Sequence, residues 1–171
     1  MLSPTARRVL LIVHISVSVG WMGAAAAYVA LNVPVLTGAD EQTVRAAYLM
    51  MPTVADYALV PLAVATVVTG IALALGTKWG LLQHYWVAVS LGVTLFATAI
   101  LVLHLPAVDE LAAVAADPEG DVAALGGDLF HSVGGLVVLS VPLVLNVVKP
   151  RGLTRRGWRV QQSRRSSSAS T

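Results

Sequence analysis

The chain carries four histidines and no cysteine, so imidazole is its main resource for holding a metal. Counted from the nearest charged residues, the histidines fall into two pairs. His14 lies six residues beyond Arg8 and His84 six beyond Lys78, which at about 1.5 Å per residue puts both roughly 9 Å inside one charge boundary. His131 follows Asp128 by three residues and His104 precedes Asp109 by five. These two form a second, shallower pair at the opposite face.

An imidazole in lipid is costly and turns to protein, water or a metal. Haem iron is commonly held by axial imidazoles, and a four-helix bundle can house the ring between helices. On the first span, Ser18, Trp21 and Met22 fall near the His14 face by helical spacing. They offer a hydroxyl, a flat wall and a thioether. His14 and His84 are therefore candidate axial ligands of one b-type haem, with Trp21, Ser18 and Met22 around it. The competing account is a plain hydrogen bond from His14 to a neighbouring helix. His84 and His104 stand 20 residues apart, on nearly opposite sides of a straight helix, which argues against two stacked haems. Copper is the other metal reading, with Met50 or Met51 joining His104 or His131, since thioethers suit Cu(I). No Met-x-Met or Met-x-x-Met series accompanies them.

Four apolar runs must position these side chains: Val9–Leu31, Tyr57–Leu75, His84–Leu105 and Leu129–Val148. A hydrocarbon core of roughly 30 Å needs about 20 helical residues to cross, so each run is long enough to span. The 171-residue chain is 57% apolar and 12% charged, about half the charged fraction of a soluble domain. The expected fold is an all-α, four-helix transmembrane bundle over residues 1–150, with a basic, Ser-rich, disordered tail over 151–171. Lys and Arg gather before the first span, at Lys78 and after Val148. The connection 106–128 holds six acids and no base. That alternation places both termini in the cytoplasm of a multi-pass protein, here of a bacterial inner membrane. A cleaved signal is the competing reading of the first run, but its apolar character continues to Leu31, past the usual length.

In the first outer connection, Asp40 is placed to cap a short helix. Val44, Ala47, Tyr48 and Met51 recur at helical spacing before Pro52, which predicts a segment lying flat on the outer interface. A weaker helical piece is expected around Asp109–Ala116. Trp79, Tyr85 and Trp86 suit an aromatic belt. The tail arginines suit anionic inner-leaflet lipids, and positive-inside topology explains them without nucleic acid. No phosphate-binding Gly motif occurs, no acid–base partner accompanies the intramembrane hydroxyls, and no charge lies inside a span. Nucleotide, hydrolase and proton-coupled transporter readings are correspondingly weak.

The segments Gly76–Val87 and Val148–Thr154, with His14 and Trp21-Met22-Gly23, resemble a family of uncharacterised bacterial four-span membrane proteins. His14 followed by Gly20-Trp21-Met22-Gly23 is more distantly similar to the first helix of CopD-like copper proteins and of HemJ-type, haem-binding protoporphyrinogen oxidases. The latter resemblance implies a first-helix His, matched by His14, and a third-helix Lys, for which His84 is the nearest candidate. The leading expectation is a haem-binding redox or porphyrin-linked membrane protein. The alternatives are copper handling and a non-catalytic scaffold or regulator that binds a membrane-protein partner or a second copy of itself.

Overall fold

The computed structural model describes residues 2–77 and 80–168, with side chains described through Gln162. Lys78 of the charge pattern, Trp79 of the aromatic belt and the last three residues of the tail lie outside the described residues. The elements are α1 (Pro4–Leu31), α2 (Val33–Thr37), α3 (Glu41–Val54), α4 (Val60–Gly76), α5 (Tyr85–Ala116), α6 (Leu129–Val148) and α7 (Arg155–Ser168), with a π-helical turn at Ala55–Leu59 and a 3-10 turn at Val122–Ala124. Four helical stretches are long and apolar enough to cross a membrane, which by length and hydropathy makes this a multi-pass membrane protein.

The four spans close into a ring: α1 packs on α4 and α6, and α5 packs on the same two. Their outward sides keep Val9, Ile12, Ile15 and Val19 of α1 and Leu95, Phe96 and Leu103 of α5 exposed, as lipid contact requires. For convenience, the end carrying Arg7 and Lys149 is called the basic end, and the end carrying Asp128 the acidic end.

Two of the helices are much longer than a bilayer. Residues Glu41–Gly76 run as one helical stretch of 36 residues and α5 has 32, about 54 and 48 Å against a hydrocarbon core of roughly 30 Å. The surplus of both projects at the acidic end, where α3 packs on α5. This corrects the expectation of a flat interfacial helix ended by Pro52. Asp40 does cap α3, accepting from the Thr43 amide, and that bond with the Thr43 hydroxyl holds its carboxyl below the usual aspartate range. Val44, Ala47, Tyr48 and Met51 are the buried positions as the spacing predicts. They face protein, however, and Tyr48 and Met51 are fully buried in the main core with Trp21, Tyr28 and Val108. Pro52 is accommodated inside the helix. The wide turn at Ala55–Leu59 directly precedes Pro61, whose missing N–H and bulky ring leave no place for a regular α-turn hydrogen bond.

Arg45 locks this projection together. Its guanidinium donates to Glu41 through two nitrogens at 2.9 and 2.7 Å, and to the carbonyls of Ala115, Asp117, Pro118 and Gly120. The carbonyls left open at the end of α5 and in the following turn are thus met by one planar cation. The helical piece expected at Asp109–Ala116 is the final stretch of α5, which ends where Asp117-Pro118 turns away.

At the basic end, α6 stops at Lys149, which takes a left-handed conformation (φ 47°) before Pro150. The chain then returns to the start of α5: Tyr85 donates its amide to the Gly152 carbonyl and Thr154 to that of Gln83. Residues Arg155–Ser168 form α7. The Thr154 hydroxyl accepts from the Gly157 amide and supplies the missing cap.

Replacing Arg45 by Ala strands several carbonyls, and Lys lacks the fork to restore them. Thermal unfolding in detergent is expected to show a loss of about 2–3 kcal/mol for Arg45→Ala, with Arg45→Lys recovering less than half.

Candidate functional site

Asp128 stands at the start of α6, where an aspartate ordinarily caps its own helix. Here the carboxylate makes no cap bond. It is turned into the bundle instead, with its side chain only 3% exposed. One oxygen, Oδ2, accepts from the Tyr28 hydroxyl of α1 at 2.8 Å. The other, Oδ1, lies 2.8 Å from His104 Nε2 of α5 and 3.3 Å from His131 Nδ1 of α6. The two imidazoles stack, with ring centroids 3.8 Å apart and planes 22° from parallel.

The backbone around this carboxylate is held as firmly as the side chain. Gly127 has φ +72°, a left-handed conformation in which a side chain is strained. This lets the chain enter α6 with Asp128 pointing inward. The Asp128 amide donates to Asn32 Oδ1 at 2.8 Å, and Asn32 Nδ2 donates to the Tyr28 carbonyl and toward Ser132 Oγ. Asn32 is fully buried. Helices α1, α5 and α6 therefore meet in one hydrogen-bonded cluster.

His104, Asp128 and His131 offer two nitrogens and one oxygen within 4.8 Å of one another, a set that could hold a metal ion. His104 is mostly covered, whereas the His131 side chain is 47% exposed, so His131 is the ligand with room to close on an ion. Tyr28 and Asn32 stand behind the carboxylate, where partners of this kind orient metal ligands. A cavity of about 440 Å³ adjoins the cluster, bounded by all three residues together with Trp21, Leu101 and Phe130.

The sequence-derived copper set is partly assembled. His104 and His131 come together, but Met51 is fully buried in the core and Met50 is on the surface, and neither lines the cavity beside the two imidazoles. The third member of the group is Asp128. Its signal was the Asp-x-x-His spacing of Asp128 and His131 on one helical turn. Tyr28 and Asn32 gave no local signal, because each is about a hundred residues from its partner.

At the basic end, His14, Ser18, Trp21 and Met22 line one cavity of about 490 Å³, as their shared helical face predicts. His14 Nδ1 is 2.8 Å from Thr69 Oγ1. The Thr69 hydroxyl is also 2.7 Å from the Ala65 carbonyl. Gly70 makes room for this ring, since an added Cβ would meet His14 Cε1 at 3.2 Å. His84 lies immediately before α5, bridged to Leu153, with its ring 6.5 Å from that of Trp86. Trp86 lines the cavity, and His84 is not among its lining residues.

No protein-family model, curated protein or solved structure matches the chain.

Because Gly127 must hold φ +72° to aim Asp128 inward, Gly127→Ala is expected to lower stability by about 1–2 kcal/mol in thermal unfolding.

Proposed function

We propose that this protein binds one divalent transition-metal ion through His104, Asp128 and His131 at the outer face of a bacterial inner membrane. The observation that supports the reading is the Asp128 carboxylate itself. It is buried at the end of a membrane bundle, withheld from its own helix and oriented from behind by Tyr28. Two imidazoles converge on its remaining oxygen. A buried charge is costly unless paired, and a cation between these three ligands would complete the pairing.

The donor set favours an ion of intermediate softness. Imidazole and carboxylate suit Zn²⁺, Fe²⁺ or Cu²⁺, whereas Cu(I) favours the thioether sulfur that this cluster lacks. Copper handling remains part of the reading, as Cu²⁺. Three protein ligands leave a coordination position open to water or a further ligand, as in catalytic rather than structural sites. Haem is the less supported assignment. His14 lines the basic-end cavity, but His84 does not.

Titration calorimetry of the detergent-purified protein with Zn²⁺, and visible spectra with Co²⁺, test this. One ion per chain is expected. Asp128→Asn and His104→Ala should abolish binding, while Tyr28→Phe should weaken it about 10–100-fold by releasing the carboxylate. Met51→Leu should leave the affinity unchanged. Binding that persists in Asp128→Asn would reject the site.

A further inference from the structure

The basic-end cavity contains two hydroxyls without a partner among the described residues. Thr66 Oγ1 and Ser90 Oγ are buried and make no hydrogen bond among the described residues. Each residue is only 7% exposed, and both line this cavity. Hydroxyls in membrane helices normally settle on the carbonyl one turn back, as Thr69, Thr94, Thr98 and Ser140 do here. Thr66 and Ser90 are the exceptions. A buried polar group left unpaired costs about 1–3 kcal/mol, so such groups call for a partner.

The same cavity has cations at one end. Arg7, in the first turns of α1, and Lys149, which ends α6, both line it. Among the described residues, neither has a carboxylate within ion-pair distance. From Arg7 to His14 is seven residues of helix, or about 10 Å along the axis. Ser90 lies five residues into α5 and Thr66 ten residues before the end of α4, about 8 and 15 Å from the basic end. The cavity therefore presents cations at its mouth and the two hydroxyls further in, amid walls that include Trp21, Leu139 and Leu143.

We propose that this cavity binds one anionic glycerophospholipid from the leaflet at the basic end. Such a lipid carries its charges in the same order: phosphate outermost, ester carbonyls next, acyl chain deepest. Arg7 and Lys149 take the phosphate. Ser90 and Thr66 donate to the ester oxygens, and a chain fills the apolar remainder. A fatty acid has no second polar group to meet the inner hydroxyls, and a free phosphate has no apolar body. Basic pockets between membrane helices bind lipid headgroups on the same physical grounds. The site is separate from the metal cluster and does not depend on it.

Native mass spectrometry of the full chain, from micelles holding equal amounts of phosphatidylglycerol and phosphatidylcholine with identical chains, tests the proposal. One phosphatidylglycerol should be retained, with a preference of about thirtyfold from two cations near the headgroup. The double variant Arg7→Gln, Lys149→Gln should erase that preference. The double variant Thr66→Val, Ser90→Ala should weaken retention of both lipids while keeping their ratio. Gel-filtration profile and thermal stability check that each variant is folded, and millimolar inorganic phosphate should not displace the lipid. Equal retention of the two lipids, meaning annular lipid only, would overturn the proposal. So would an unchanged ratio in the Arg7, Lys149 variant, displacement by phosphate, or a stoichiometric Soret band in lipid-free protein, which would assign the cavity to a porphyrin.

Discussion

A single buried carboxylate organises the acidic end of this protein. Asp128 lies where the apolar interior of the bundle begins, and an ionised group there is tolerated only if its oxygens are met. Tyr28 from α1, His104 from α5 and His131 from α6 meet them, so satisfying the charge and bringing three helices into register are one event. Apolar packing between membrane helices lacks the drive it has in water, since lipid tails are as apolar as leucine. A directional polar cluster supplies the specificity that apolar contact cannot.

The projection at the same end makes that cluster possible. Helix α3, buried through Tyr48 and Met51, and the far part of α5, tied down by Arg45, form a packed layer beside it. Tyr48 donates to the Leu125 carbonyl in the segment leading to Gly127 and Asp128. The approach to the carboxylate is thus anchored on a helix that itself has a core. Rigid support of this kind keeps ligand atoms near their working positions.

The basic end is built differently. Its small apolar cluster of Ala74, Trp86 and Val87 leaves a large cavity beside it, and two hydroxyls there have no partner among the described residues. Trp21 and Leu139 line both cavities, so the two sites share walls although their chemistry is unlike. Both are mostly apolar; one ends on the His104, Asp128 and His131 cluster and the other is edged with cations.

Much of this architecture could be read from the chain. Span count follows from run length, because a bilayer of fixed thickness and an unsatisfied backbone leave the helix as the local solution. The shared face of His14, Ser18, Trp21 and Met22 follows from helical periodicity alone, as do the buried positions of α3. What those positions face was not legible: the amphipathic stripe of α3 suits an interface and a protein core equally well. Nor was the partnership of Asp128 with Tyr28 and His104, or the burial of Met51 in the core. Local periodicity acts over a few residues, whereas these contacts depend on which helix lies beside which. Only the closed ring of helices decided that the imidazoles would meet a carboxylate and that the sulfur would be enclosed in the core.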